Sequence, residues 1–219
     1  MCGCAGYPRP DQWTNEPMNY RDIDGRKSAF IFELDNVLYP EKDYLYQVYY
    51  LFANLLEYTE LVDAKHTTDI MVDTYTSVGK DAVFNQVVGA FPVAEKYRDK
   101  FENLLITAKL PLKLLLYQNM LTLMQEIVVD RKKLFIVTNG NIEQQVNKIK
   151  QTEWHGLEKY LSCYFAEETA PKPEPDVLHL LIQDHSLQRR DIIMIENSEV
   201  DRLCAETVGI DHMNIDKFL

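Results

Sequence analysis

Two carboxylates, Glu33 and Asp35, follow a short apolar run, Ala29–Phe32, and have the type and spacing needed for chemistry. Side chains two residues apart on an extended chain point to the same side, so both carboxylates should face one pocket. Paired carboxylates at the end of a strand are typical of sites that bind a hard metal ion or perform nucleophilic or acid–base chemistry.

Further polar residues follow the later apolar runs, in the order Thr138 and Asn139, then Lys172, then Asn197 and Asp201. In open parallel sheets, ligands bind beyond the carboxyl ends of the strands. We therefore expect these residues to join the two carboxylates in one site.

Alternating apolar runs and helical patterns predict the elements that position these residues. Strands are predicted over residues 29–34, 133–137, 161–165, 192–195 and 212–215. Helices are predicted over residues 44–58, 63–78, 81–91, 94–109, 114–129, 142–152, 176–185 and 200–207. Strands that are apolar throughout and alternate with helices are typical of a parallel sheet covered on both faces. The sequence therefore predicts an α/β fold with a doubly wound parallel sheet.

About ninety residues separate the first two predicted strands, far more than the dozen or so that a crossover needs. Between them, apolar residues recur at helical spacing, as in Leu45, Val48 and Phe52, until Pro111 breaks the pattern. An all-helical insertion explains this distance. The predicted organisation is an irregular N-terminal arm over residues 1–27, an α/β core formed by residues 28–40 and 112–219, and a helical insertion over residues 41–111.

Composition and charge limit the classes of function. Hydrophobic residues make up 46% of the chain and aromatic residues 11%, which is enough for a sizeable core. The net charge of −11 argues against nonspecific nucleic-acid binding and against attraction to an anionic membrane surface. No run of apolar residues is long enough to predict a membrane-spanning helix, and the N-terminus lacks the pattern of a signal peptide.

The four cysteines are too few, in a chain of 219 residues, to predict a disulfide framework of the small secreted kind, so a reducing cytoplasm is the expected compartment. Cys2 and Cys4 can supply half of a soft-metal site. No second pair of Cys or His residues follows at zinc-ligand spacing, which favours a polar N-terminal tail over a metal site.

The polar segments resemble, in order, the four motifs of the haloacid dehalogenase (HAD) superfamily. The first is Glu-Leu-Asp-Asn-Val-Leu-Tyr from Glu33, and the second is Thr-Asn-Gly from Thr138. The third is Pro-Lys-Pro around Lys172, and the fourth is Glu-Asn-Ser-Glu-Val-Asp ending at Asp201. The resemblance runs from about residue 28 to the C-terminus, and the helical insertion is similar to the C1-type cap of that superfamily.

The resemblance implies catalytic and substrate-binding roles. It gives Glu33 the position of the nucleophile and Asp35 that of the general acid and base. Thr138 and Lys172 take the positions that donate to phosphoryl oxygens, and Asn139 is expected to help bind the substrate.

The resemblance also implies Mg²⁺, held by Glu33, the backbone carbonyl of Asp35, Asn197 and Asp201. Aspartate is usual in the family at both the Glu33 and the Asn197 positions. The longer Glu33 side chain moves its carboxylate by more than about 1 Å, a displacement that can cost on the order of a hundredfold in rate. Asn197 keeps an amide oxygen but removes one negative charge, so we expect weaker Mg²⁺ binding.

Two functions remain open. The first is a HAD-like hydrolase of small phosphate monoesters, such as nucleotide or sugar phosphates, with an atypical and impaired active site. The second is a non-catalytic protein that binds a phosphorylated metabolite; a dehalogenase or a phosphomutase is more distant. The expected partner is a small phosphorylated metabolite, with neither nucleic acid nor membrane, and the sequence leaves the substrate and the oligomeric state open.

Overall fold

The apolar runs form a parallel sheet in the computed structural model, which describes residues 17–219. Cys2 and Cys4 lie outside the described residues. The strands are β1 (Ala29–Phe32), β2 (Leu114–Leu115), β3 (Lys133–Thr138), β4 (Thr152–Glu153), β5 (Leu161–Phe165), β6 (Ile192–Glu196) and β7 (Asp211–Asn214). Five of them form one sheet in the order β5-β3-β1-β6-β7, and all pairs are parallel.

The carboxyl ends of β1 and of its two neighbours, β3 and β6, lie at nearly the same height in the sheet. Phe32, its last residue, lies opposite Ile136 of β3 and Ile195 of β6. All of β1 and β6 is buried, as expected for strands covered on both faces. The residues just after these strands therefore meet at one edge of the sheet.

Helices cover both faces of this sheet. They are α1 (Glu41–Glu60), α2 (Ala64–Ser77), α3 (Val83–Ala90), α4 (Arg98–Thr107), α5 (Gln118–Val129), α6 (Ile142–Gln151), α7 (Asp176–Asp184) and α8 (Glu199–Val208). Successive residues of β1 face opposite sides, so Phe30 joins a core with α5, whereas Ile31 joins a second core with α7 and α8. The result is an α/β fold with a doubly wound parallel sheet.

The helices α1 to α4 lie between β1 and β2 in the chain. Their apolar faces meet in an aromatic group in which the Phe101 ring lies 4.9 Å from that of Phe52 and 5.2 Å from that of Phe84. This group is continuous with the core on the Phe30 face of the sheet. In addition, α4 packs against α6, one of the helices that follow the sheet strand β3.

Three local predictions differ from the structure. The predicted helix over residues 114–129 begins only at Gln118, because Leu114–Leu115 pair with Thr152–Glu153 as a small parallel sheet. The predicted helix over residues 94–109 starts with a 3-10 segment, Pro92–Tyr97, as is common at helix N-termini. The predicted irregular arm contains a short 3-10 helix, Tyr20–Asp22, within its described part.

In residues 17–219, no helix is both long enough and apolar enough to cross a membrane.

Candidate functional site

Six of the seven predicted site residues lie at or beyond the carboxyl ends of the three central strands. Glu33 and Asp35 follow β1, Thr138 ends β3 and is followed by Asn139, and Asn197 and Asp201 come after β6. Because these strands are parallel and in register, the side chains of Glu33, Thr138 and Asp201 meet around one point.

Lys172, from the loop between β5 and α7, occupies that point. Its ammonium group contacts Glu33 Oε2, lies 2.5 Å from Asp201 Oδ1, and donates a 3.0 Å hydrogen bond to the Val137 carbonyl. The residue is only 3% exposed. Burial alone lowers the pKa of Lys172, but the charges of Glu33 and Asp201 outweigh burial, so its pKa lies above the ordinary lysine value. Lys172 is thus the shared counter-ion of two buried carboxylates.

Glu33 is buried, and each of its two carboxylate oxygens contacts a neighbouring polar side chain. The Thr138 hydroxyl donates to Oε1 at 2.5 Å, while Lys172 contacts Oε2. Burial raises the pKa of Glu33 above its ordinary value; Lys172 opposes this shift and the charge of Asp201 adds to it. The net shift is upward because one ammonium group serves two carboxylates in a dry site.

Asp201 is held by the start of α8. Ser198 is the N-cap residue of that helix; its hydroxyl donates to Asp201 Oδ2 at 2.5 Å and accepts from the Asp201 amide at 3.2 Å. A carboxylate in the first turn also interacts favourably with the helix dipole. These contacts fix the second carboxylate beside Lys172.

Asn139 holds the backbone of Lys172. Its Nδ2 donates to the Lys172 carbonyl and its Oδ1 accepts from the Lys172 amide, both at 3.0 Å. The chain then turns at Gly140, whose φ of +107° favours glycine. The sequence predicts that Asn139 binds substrate, whereas in the structure its amide group positions Lys172.

Asp35 lies beside this cluster and forms an ion pair with a different lysine, Lys148. Lys148 Nζ lies 2.6 Å from Asp35 Oδ2, and Gln145 Nε2 donates to the same oxygen at 3.3 Å. The Tyr39 hydroxyl donates to Oδ1 at 3.1 Å. Both oxygens of Asp35 therefore accept hydrogen bonds from the protein.

Lys148 and Gln145 are the site residues that sequence reasoning missed. They lie three positions apart on α6 and so share one face, and both are at most 4% exposed. The Lys148 ammonium also lies 5.1 Å from the centre of the Tyr44 ring. The signal in the sequence was two polar residues on the face of α6 that an amphipathic helix normally fills with apolar ones.

Asn197 lies at the same edge but outside the ion pairs. Its side chain is half-buried and makes no hydrogen bond within residues 17–219. The preceding Glu196 is buried, and its Oε1 lies 3.4 Å from His212 Nδ1. The structure therefore brings Glu33, Thr138, Lys172 and Asp201 into contact, and among the described residues the Asn197 amide has no hydrogen-bond partner.

The donors at this edge are suited to Mg²⁺ in type. They are the carboxylates of Glu33 and Asp201, the amide of Asn197 and the Asp35 carbonyl, and oxygen donors are those that Mg²⁺ prefers. Nevertheless, Lys172 contacts one oxygen of each carboxylate. No group of three or more His, Cys, Asp or Glu side chains is arranged to hold a metal in the described part of the chain. The donor types fit Mg²⁺, but the ion must compete with Lys172.

The arrangement can perform nucleophilic chemistry on an anionic group. Glu33 supplies a carboxylate nucleophile, and the Thr138 hydroxyl and the Lys172 ammonium group can donate to oxygens that gain charge. Asp35, the residue that the sequence predicts to be the general acid and base, accepts hydrogen bonds from three donors.

Comparison with known families identifies one match. A family model described as haloacid dehalogenase-like hydrolase matches residues 30–215, which is most of the chain. No curated protein sequence matches this chain.

Several solved structures share the fold. A protein described as a β-phosphoglucomutase from Thermotoga maritima is 17% identical with a TM-score of 0.59, over 84% of this chain and 82% of that one. A HAD-superfamily hydrolase from Geobacter sulfurreducens is 20% identical with a TM-score of 0.55, over 86% of each chain. A haloacid dehalogenase-like hydrolase from Bacteroides fragilis is 16% identical with a TM-score of 0.54, over 85% of this chain and 86% of that one. Similarity at these identities shows the fold alone.

Proposed function

The chain belongs to the haloacid dehalogenase-like hydrolases, and from this premise we propose that it hydrolyses small phosphate monoesters slowly at the carboxyl edge of its sheet. The proposed partner is a small phosphorylated metabolite, such as a nucleotide or sugar phosphate. One observation supports the proposal above the others: Glu33, Thr138 and Lys172 are in direct contact, with Asp201 behind Lys172.

Each of these residues has a distinct part in the proposed reaction. A Glu33 oxygen attacks phosphorus, and Thr138 and Lys172 donate hydrogen bonds to the phosphoryl oxygens as negative charge shifts among them. Asp201 keeps the Lys172 ammonium in place by an ion pair of 2.5 Å. Asn139 holds the Lys172 backbone through its two 3.0 Å hydrogen bonds.

Enzymes of this superfamily generally use Mg²⁺. In this chain Glu33, Asp201, Asn197 and the Asp35 carbonyl would hold the ion, which when bound offsets charge on the phosphoryl group. Lys172 already neutralises part of the carboxylate charge, and Asn197 adds none. We therefore propose weak Mg²⁺ binding.

The second candidate is binding of a phosphorylated metabolite without hydrolysis. The contacts of Asp35 favour it, because Lys148, Gln145 and Tyr39 occupy both oxygens of the expected acid–base residue. The two candidates place the same ligand class at the same edge and differ only in whether a bond is broken.

Phosphate release from para-nitrophenyl phosphate and from a panel of nucleotide and sugar phosphates, with Mg²⁺ present, separates the two candidates. Hydrolysis predicts release by the wild type that Glu33→Gln abolishes and that Lys27→Met retains, since Lys27 lies at the opposite, amino end of the strands. Release no greater than that of Glu33→Gln, together with thermal stabilisation by inorganic phosphate, would support binding alone. If neither release nor stabilisation occurs, both proposals are wrong.

A further inference from the structure

The outer face of α1 presents large apolar side chains to solvent. Tyr50, Tyr58 and Leu61 are 53%, 88% and 91% exposed. They share this face with the half-buried Leu51 and Asn54, and we call these five residues the outer stripe. From Leu51, the residues Asn54, Tyr58 and Leu61 follow at spacings of three, four and three. This is the spacing of a helix face that packs along another helix.

Leu61 is unusual in its backbone as well as in its exposure. It is the C-cap residue of α1 and has a φ of +57°, in the left-handed region that leucine rarely adopts. Its amide donates to the Glu57 carbonyl at 3.0 Å, and the left-handed position at the end of a helix is usually occupied by glycine. Within one copy, leucine here strains the backbone and buries almost none of its side chain. A contact with another molecule would account for a leucine at this position.

The charge of the chain favours a second copy as that molecule. No residue of the outer stripe is charged, although 26% of the chain is charged and its net charge is −11. Two copies of so acidic a chain repel each other in most orientations, and an uncharged face is where they can approach at the lowest electrostatic cost. A strongly basic partner, in contrast, would gain no attraction from this face.

The exposed area is in the range of a modest interface. Since an aromatic side chain can bury about 150–250 Å², the exposed parts of Tyr50 and Tyr58 together amount to roughly 200–350 Å². Leu61 and Leu112, which is 71% exposed, extend this surface, because the Leu112 amide donates to Gln47 Oε1, one turn before the stripe. Apolar patches of about 300–600 Å² are often functional, and a polar rim brings such a patch toward the ~800 Å² per partner of a standard interface.

We propose that two copies of the chain associate through their outer stripes, as antiparallel α1 helices related by a two-fold axis at Asn54. Such a contact is isologous, so Tyr58 of one copy packs against Tyr50 of the other. An amide has both donors and an acceptor, so the two Asn54 side chains can hydrogen-bond to each other across the axis and fix the register. At 1.5 Å per residue, the two Glu57 residues lie about 9 Å apart along the helices, whereas parallel helices would place them side by side.

The proposed interface is separate from the edge of the sheet that holds Glu33. The outer stripe lies on the opposite face of α1 from the buried residues Val48 and Phe52, which pack in the core. The inference therefore does not depend on the proposed hydrolysis.

Sedimentation equilibrium of the full chain over a range of protein concentrations tests the association. We expect a monomer–dimer equilibrium with a Kd in the micromolar range, as befits a modest interface. Tyr58→Asp and Leu61→Asn should each raise this Kd by at least about tenfold, as the loss of a central contact does. Asparagine tolerates the left-handed backbone, so Leu61→Asn should fold as the wild type does. The matched control is Val129→Asp, which adds the same charge as Tyr58→Asp at a 78% exposed apolar residue outside the stripe, and it should leave the Kd unchanged.

Disulfide formation tests the antiparallel arrangement. Under mild oxidation, Asn54→Cys should give covalent dimers in excess of the wild type, which carries the same four native cysteines. A mixture of Tyr50→Cys and Tyr58→Cys should form mixed covalent dimers. Tyr58→Cys alone should form few, because residues 58 of the two copies would be about 12 Å apart along the helices, beyond the reach of a disulfide.

A wild-type chain that stays monomeric at every concentration would overturn the inference, whatever else covers the outer stripe in that case. A dimer whose Kd is unchanged by both Tyr58→Asp and Leu61→Asn would also overturn it. Tyr58→Cys alone forming as much covalent dimer as the mixture with Tyr50→Cys would show that the antiparallel arrangement is wrong.

Discussion

Replacing Lys172 by methionine removes the ammonium group that holds two buried carboxylates together. Glu33 and Asp201 would then lie in a dry site without a counter-ion, and the Val137 carbonyl would lose its 3.0 Å hydrogen bond. Removing one partner of a buried ion pair costs about 3–5 kcal/mol. For a domain of this size, 1 kcal/mol changes Tm by about 2–4 °C. We therefore expect Lys172→Met to lower Tm by roughly 6–20 °C.

Lys27→Met again provides the comparison. Lys27 is as buried as Lys172, but its partner Asp211 is 71% exposed at the side chain and can be hydrated once the lysine is gone. The expected loss is only about 1–2 kcal/mol, from one surface ion pair and the 2.7 Å hydrogen bond to the Arg190 carbonyl. Urea unfolding of both variants near neutral pH measures this difference.

The pH dependence adds a second check. Because burial raises the pKa of Glu33, its carboxyl is neutralised in the folded state at a higher pH than in the unfolded chain. The loss caused by Lys172→Met should therefore shrink as the pH falls toward and below 4.5, the ordinary glutamate value. The reasoning is refuted if Lys172→Met is no more destabilising than Lys27→Met near neutral pH, or if adding Glu33→Gln to Lys172→Met restores no stability.

Three further predictions concern the same edge of the sheet. Glu33→Asp combined with Asn197→Asp should raise kcat/KM on an aryl phosphate by orders of magnitude, each tenfold being about 1.4 kcal/mol; no gain would mean that other residues limit the rate. Gly140→Ala should lower the free energy of unfolding, measured with urea, by about 1–2 kcal/mol, because φ is +107° and the new Cβ would lie 3.0 Å from Gln145 Nε2. The control Gly25→Ala has open space around its Cβ and should change stability little. Glu33→Gln should gain stability relative to the wild type as the pH rises above 4.5, because the raised pKa of Glu33 makes the wild type lose stability there. A difference in Tm that does not change with pH would contradict the upward shift of the Glu33 pKa.

Most of the sheet was predictable because its central strands are nearly continuous apolar runs, which can be recognised without knowing their partner strands. The buried runs at β1, β3 and β6 are examples, and the polar residues that follow them mark the carboxyl edge. In contrast, β2 and β4 have two residues each, too few for any periodicity. They exist because their backbones meet in the folded chain.

The acid–base part of the site was not predictable in the same way. Lys148 is 113 residues from Asp35 in the sequence, and its position on a helix is typical of a solvated lysine. Only the fold brings α6 against the loop after β1 and buries that lysine. Asn139 shows the same limit, because its position in the sequence matches the predicted site but its amide group binds the Lys172 backbone.

The charges of the paired residues also explain why a cation should matter for the proposed reaction. Ionised, the three carboxylates Glu33, Asp35 and Asp201 exceed the two lysines that neutralise them by one negative charge. A phosphate dianion that enters this site is repelled unless a cation joins it, and the neutral Asn197 can offer that cation an amide oxygen but no negative charge. Weak cation binding leaves more of this repulsion unopposed than tight binding would, so the proposed hydrolysis should be slow and should accelerate as the Mg²⁺ concentration rises.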